Sequence, residues 1–382
     1  MYVKTRIIEA DSVFRFARVI EVSVGSKTII TPKRALSAST NHIYDETVLK
    51  GKEKKGLTEI YLRINHENLR KAMDNEFYRR SFTNKLSSLL KKAADNITIG
   101  IVECDFAGNV PTKEETEFIV HLLNNPDLDI LVSPILLGVP AKDYVKFLDQ
   151  FAEIHQTCSF HAILAPVIPH YSTADIPKLF KYYMSRDEFE KNFICVDFNG
   201  GNPISQYDFV SSIVYESQKM EKEFNEPCFR YAINLKYGKA TKKQQVVPAK
   251  DLTIFAMGFN AFGSNHRIIP ILGDIGNYEL KAKLLNRTDY GYYSIDVAKD
   301  SIIDAGSYEI DLKSVLRNIK YSRVFNAERQ ALETLAISTA VKENRLIKYL
   351  ESKPRLNEDP SIFKKVHKIN ETTQEPLPKF FS

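Results

Sequence analysis

From Ile97 onward one pattern repeats along the chain: a short apolar run, then a stretch with helical spacing. The runs are 97–106 (ITIGIVECDF), 130–137 (ILVSPILL), 160–168, 193–198 (FICVDF), 229–235 and 252–259. Between them, Tyr144, Phe147, Leu148 and Phe151 fall at i, i+3, i+4 and i+7, one face of a helix. Helical stretches are likewise predicted at 112–124, 174–184 and 206–223. Apolar runs alternating with amphipathic helices mark parallel strands covered by helices. These six runs, with strands near Ile60 and Ile30, make eight, the number that closes a barrel. A doubly wound open sheet is the other arrangement, and it normally carries a Gly-rich phosphate loop after its first strand. Neither GxGxxG nor GxxxxGK[ST] occurs here. The expectation is therefore α/β: a (β/α)8 TIM-like barrel with an N-terminal β-hairpin and a C-terminal helical extension.

The hairpin is read from 18–37, where two alternating segments flank Gly25-Ser26. The barrel with its hairpin is assigned to 1–265 and a small α+β extension to 266–352, which includes a strong helix at 325–352. Residues 353–382, rich in Pro, Lys and Glu, are read as a flexible tail. The chain has 382 residues, 43% of them hydrophobic, enough to bury a core without disulfides or a structural metal.

Cys104, Cys158, Cys195 and Cys228 form no CxxC pair, so a cysteine-rich zinc site is not expected. They are read as reduced core residues of a cytoplasmic protein. No apolar leader opens the chain, and no run reaches the length of a membrane span. A net charge of +5 permits a polyanion partner without requiring one. GxSxG and HExxH are absent, and neither a metal nor a cofactor is expected.

Active sites of such barrels lie at the C-terminal ends of the strands. That rule selects Glu103, Asp105 and Asn109 after one run, His170 and Tyr171 after another, and Asp197, Asn199, Gly200 and Gly201 after a third. It also selects Asn234, Lys236 and Tyr237, then Asn260, Asn265 and His266. An acid ending a buried strand is costly to place without a purpose, which singles out Asp105 and Asp197. Asp105 in CDFAGN equally suits a turn, and Asn199-Gly200-Gly201 suits any tight loop. Lys236, Lys242 and Lys243 lie in a basic loop that either tracks a phosphate backbone or is simply solvated.

Two segments resemble the tRNA-guanine transglycosylase superfamily. FARVIEVSVGSKTIITPKRALSA, at 16–38, is similar to that family's entry hairpin, with its Thr-Pro at Thr31-Pro32. FAMGFNAFGS, at 255–264, is similar to the family's archaeal pattern near the last strand. The resemblance implies a barrel that exchanges guanine for a 7-deazaguanine base in a nucleic acid, tRNA or DNA. One Asp would attack the sugar and another would meet the base. Asp105 aligns with the base-contacting Asp, but the nucleophile's position falls on Gly263 and a preceding Asp on Asn260. The family's CxCxxC…His zinc pattern is absent, and no PUA-like RNA-binding domain is evident in the C-terminal region. Either another acid attacks, Asp197 or Asp274, or the chain is a member that has lost exchange and pairs with an active subunit. In the active case Asp105 and Asp197 are catalytic. Asn199, Gly200, Gly201, Asn234, Asn260 and His266 then shape the pocket, and Lys236, Lys242 and Lys243 meet phosphate. A separate reading is a lyase or hydrolase acting on a small metabolite, with Asp105 and Asp197 as acid–base partners or ligands of a hard metal. The partners expected are nucleic acid and a second subunit, identical or different, with no membrane.

Overall fold

The computed structural model describes residues 2–40, 56–93, 95–158, 160–238, 245–267, 283–294, 315 and 318–371. The chain opens with β1 (Val3–Ala10), β2 (Arg18–Val24) and β3 (Lys27–Ile30), an antiparallel sheet whose β2–β3 hairpin turns at Gly25-Ser26 as expected. Two short strands follow, β4 (Lys33–Arg34) and β5 (Leu36–Ser37). Next come β6 (Leu57–Asn65), α1 (His66–Asp74), α2 (Glu76–Lys91), β7 (Ile97–Asp105) and α3 (Lys113–Leu123). The alternation continues through β8 (Ile130–Val132), β9 (Ile135–Leu136), α4 (Ala141–Thr157), β10 (Ile163–Ala165), β11 (Val167–Ile168) and α5 (Ile176–Met184). It runs on through β12 (Phe193–Asp197), α6 (Tyr207–Phe224) and β13 (Phe229–Ile233). Local chemistry sets the switches from strand to helix. Asn65 ends β6 and caps α1 by accepting from Asn68 N at 2.8 Å, and Thr112 and Glu115 form a reciprocal capping box on α3.

The parallel pairing does not form one closed ladder. It falls into two open sheets, ordered β10–β8–β7–β6–β5, with β9 also on β7, and β11–β12–β13–β15–β4, where β15 is Ala261–Phe262. Two segments change sheets midway. β4 and β5 are separated by Ala35 alone, and β10 and β11 by Pro166 alone. Proline has no N–H to continue a ladder. Here Ala165 O accepts from Ser133 N in the first sheet, and Pro166 O accepts from Cys195 N in the second.

Two strands lie elsewhere than expected. The run 252–259 is mostly a 3-10 helix, Lys250–Met257, ended by Gly258 at φ 95°, and the strand is β15 beyond it. The strand near Ile30 stays in the hairpin, and β4–β5 take its place in the parallel sheets. The first has a simple cause, that a short apolar run does not by itself distinguish helix from strand. The second is one of pairing, since β3 is taken up antiparallel by β2 while β4 and β5 pair parallel with β15 and β6.

The rest of the described chain packs around the sheets. β14 (Val246–Pro248), β16 (Lys283–Asn286) and β17 (Gly291–Ser294) form an antiparallel sheet, and α7 (Ile319–Lys342), α8 (Leu346–Glu351), α9 (Pro354–Asn357) and α10 (Ser361–Glu371) complete it. Residues 354–371 were expected as a loose tail. Leu356, Ile362, Val366 and Ile369 are instead buried in the core, and residues 372–382 lie outside the described residues. No helix among the described residues is long and apolar enough to cross a membrane. Cys104, Cys195 and Cys228 are free and buried, and burial pushes all three thiols up, keeping them protonated.

Two buried polar clusters tie layers together. Arg18 of β2 and Arg230 of β13 share Glu221 of α6, at 2.5 and 2.8 Å, with all three side chains at most 1% exposed. On the other side, Asp251 Oδ2 accepts from Tyr292 at 2.7 Å and from Gln330 of α7 at 3.0 Å, while Asp251 Oδ1 is buried without a partner among the described residues. Burial pushes the Asp251 carboxyl up to about 6, more than its hydrogen bonds pull it down. A carboxyl raised on folding holds its proton in the native chain where the unfolded chain has lost it. Its stabilising contribution is full below its ordinary value near 3.8 and is lost as pH rises through about 6. Asp251→Asn should therefore stabilise the chain at pH 7 by about 2–3 kcal/mol and flatten stability between pH 4 and 6. Urea unfolding of both proteins across that range checks it. A variant weaker at pH 7 would refute the assignment.

Candidate active site

Along a strand, every second side chain points to the same face. In TEIYLRIN this puts Glu59, Tyr61 and Arg63 of β6 on one face. Parallel pairing sets Arg63 beside Glu103 and Asn65 beside Asp105 of β7. In the second sheet the same alternation aligns Asp197 of β12 with Cys195, which pairs with Tyr231 of β13. The two sets meet between the sheets. Tyr231 donates from its hydroxyl to Glu59 Oε1 at 2.6 Å, across from the second sheet to the first.

Glu59 is fully buried, and its other oxygen accepts from Ser264 N at 2.8 Å and lies 3.1 Å from His266 Nε2. Burial alone would raise this carboxyl. The charges of His266 and Arg34, with hydrogen bonds from His266 and Tyr231, outweigh burial and hold it below its ordinary value. The His266 ring stacks on Tyr61 at 4.0 Å between centroids, with planes 10° apart. Tyr61 in turn donates to Glu103 Oε2. Burial, then the Glu103 charge, pushes the Tyr61 phenol well above its ordinary value, so it stays a donor.

Arg267 completes the cluster. One terminal nitrogen binds Glu103 Oε2 and the other binds Asp197 Oδ2 at 2.5 Å, joining the first sheet to the second. The two carboxylates are 1% and 2% exposed, and the Arg267 side chain 14%. Its Nε is buried with no acceptor among the described residues. Asp197 Oδ1 accepts from Asn199 N at 2.9 Å and Asn234 Nδ2 at 2.8 Å. Asn234 Oδ1 accepts from His266 N at 2.9 Å, so one amide orients both Asp197 and the His266 loop.

Several expected site residues thus converge: Asp197, Asn199, Asn234 and His266. Gly200 sits in the same turn at φ 78°, donating to Asn234 O at 2.8 Å. At Gly201 a Cβ would lie 2.1 Å from Gln206 Nε2, so this glycine serves packing. Asp105 stays at the rim, 38% exposed, bound by Arg63 at 2.7 Å; the same Arg63 lies 3.4 Å from Glu103. Lys236 is half-buried, its ammonium shifted down by burial, and its N–H donates to Gly201 O. Lys242, Lys243 and Asp274 lie outside the described residues.

Two positions need correction. Asn260 precedes β15, so it lies at the opposite strand end, where its Oδ1 accepts from Arg230 N at 2.9 Å. Gly263 is not an open nucleophile position: a Cβ there would fall 1.6 Å from Glu59 Oε1 and 2.4 Å from the Tyr231 hydroxyl. Asp105 and Asp197 are also held by different arginines, Arg63 and Arg267, so each has its own counter-cation. Among the described residues, no group of three or more His, Cys, Asp or Glu could hold a metal ion. Glu59, Tyr61, Arg63, Tyr231 and Arg267 were not anticipated. The alternation in TEIYLRIN carried the signal for the first three.

No family model matches the sequence, and no curated protein matches it. Among solved structures, the chain is similar to N-acetylneuraminic acid (sialic acid) synthetase from Leptospira borgpetersenii serovar Hardjo-bovis. That match has 11% identity and a TM-score of 0.39, covering 93% of this chain and 98% of that one. A tryptophan synthase alpha-subunit from Pyrococcus furiosus matches at 10% identity and TM-score 0.32, over 62% of this chain and 87% of that one. An HpcH/HpaI aldolase/citrate lyase family protein from Burkholderia cenocepacia J2315 matches at 10% and 0.26, over 61% and 88%.

Proposed function

We propose that the chain is a barrel enzyme that takes a guanine-like base between Glu103 and Asp197 and exchanges it in a nucleic acid. The observation that carries this reading is Arg267. A guanidinium is a flat array of N–H donors, shared here between two buried carboxylates from opposite sheets. The edge of guanine with its ring N–H and 2-amino group is another such array. Arg267 holds the place of that edge, and a base enters by displacing it. The chain gives up little else among the described residues, where Arg267 Nε has no acceptor.

In this reading the two sheets are halves of one eight-strand ring, with 33–37 and 163–168 as its two seams. Tyr231–Glu59 and the Arg267 bridge cross its interior. Asp197 then serves base recognition, since both its oxygens are already held. Asp105 is the rim carboxylate, with Oδ2 on Arg63 and Oδ1 free of hydrogen bonds among the described residues. It forms an ester to the sugar's anomeric carbon as the base departs, and an incoming base reverses the step.

The test is incorporation of labelled guanine into tRNA and into single-stranded DNA. Wild-type chain should incorporate label, and Asp105→Asn should lower the rate by about a thousandfold or more. Wild-type rates in Asp105→Asn would contradict the assigned nucleophile. Binding of free guanine without incorporation would leave a base-binding partner subunit in place of an enzyme.

A further inference from the structure

We infer that the elbow between α1 and α2 is a docking surface for an unpaired stretch of nucleic acid strand, a proposal that rests on the nucleic-acid reading above. Two observations meet there. Residues 63–92 hold eight lysines and arginines and three acids (Glu67, Asp74 and Glu76), a net +5. The whole chain, with 53 cations and 48 acids, is also +5, so this one stretch carries an excess equal to the entire net charge. At its bend stand Phe77 and Tyr78, 75% and 49% exposed. Their rings meet edge to face with centroids 5.9 Å apart.

The elbow is placed for the task. α1 leaves β6 directly through its Asn65 cap, from the strand end that carries Arg63 and faces Asp105. Arg70, Lys71 and Arg80 are about half or more exposed. Among the described residues Lys71 and Arg80 pair only with Glu67 and Glu76, which are exposed themselves, and Arg70 reaches the buried Glu115. Exposed pairs are worth little and exchange readily for phosphate. Arg79 is committed inward, donating to Ala72 O and Met73 O. Aromatic faces beside releasable cations are what a single strand uses: bases stack and phosphates pair. A membrane would need a continuous apolar face. The other apolar side chains of α2 do not supply one, since Leu86 and Leu90 are buried and Phe82 and Leu89 are partly buried against the core.

A fluorescein-labelled single strand of about 16 nucleotides reads the surface by anisotropy across a salt series. Binding should weaken steeply with salt. Phe77→Ala with Tyr78→Ala should weaken it about tenfold to a hundredfold, with the far-ultraviolet circular dichroism unchanged because both rings are exposed. Arg80→Ala should lower the salt slope by about 0.7. A double variant that binds like wild type overturns the proposal. So does a wild-type chain that binds phosphatidylglycerol vesicles and no strand. The two readings fail separately. If free guanine does not bind but strand affinity falls in the double variant, the base-exchange reading fails and the docking surface stands. Guanine binding with strand affinity unchanged in the double variant gives the reverse.

Discussion

Gly263→Ala should destabilise the chain by about 3 kcal/mol or more and abolish guanine binding. The added methyl would stand 1.6 Å from Glu59 Oε1 and 2.4 Å from the Tyr231 hydroxyl, so something must move. The backbone at Gly263 is fixed by its N–H to Ala232 O at 2.8 Å. Glu59 is fully buried and pinned by Tyr231, Ser264 and His266, so displacing it strands a buried carboxylate. His266 then loses its anion, and with it the stack on Tyr61 that supports Glu103. The clash is with one named side chain, so a double-mutant cycle checks it. Glu59→Ala with Gly263→Ala should cost less than the two singles added together. Strict additivity, measured by urea unfolding, would mean that Glu59 is not what Gly263 makes room for.

Glu221→Ala should cost about 3–5 kcal/mol, through the opposite end of the fold. Glu221 is the shared counter-ion of Arg18 and Arg230, and it also accepts from Cys228 N at 3.0 Å. Burial alone would raise its carboxyl, but the Arg18 and Arg230 charges outweigh burial and hold it below the usual range. A carboxyl lowered on folding contributes stability above its ordinary value near 4.5 and loses it as pH falls through the folded value. Removing it leaves two guanidiniums buried side by side without an anion. Replacing all three with apolar side chains of similar size, Arg18→Met, Glu221→Leu and Arg230→Met, should recover most of the loss. A single variant within about 1 kcal/mol of wild type would show that the hairpin is held by its apolar face alone.

The parallel strands were legible because strands covered on both faces must be apolar throughout. Leu252–Met257 misled for the same reason: a buried 3-10 helix has the same composition, and only Gly258 marks where it ends. The seams at Ala35 and Pro166, where the ladder changes sheets, depend on pairing that no local pattern records. In the site, Asp197 could be read as an acid ending an apolar run. Arg267 could not, since its partners lie 164 and 70 residues away in sequence. Gly263 was readable as a special position but not as a filled one. That the space belongs to Glu59, 205 residues from Ser264, emerges only when the two sheets face each other.

The most direct test is a calorimetric titration of guanine into wild-type chain, Arg267→Ala and Asp197→Asn. If Arg267 occupies the base position, removing it removes a competitor, and the affinity of Arg267→Ala should rise about tenfold. Asp197→Asn, which gives up a charged acceptor, should bind about tenfold to a hundredfold more weakly than wild type. Equal affinities in all three, or no binding to any of them, would contradict the account and leave the Glu103–Arg267–Asp197 bridge as a structural tie between the two sheets.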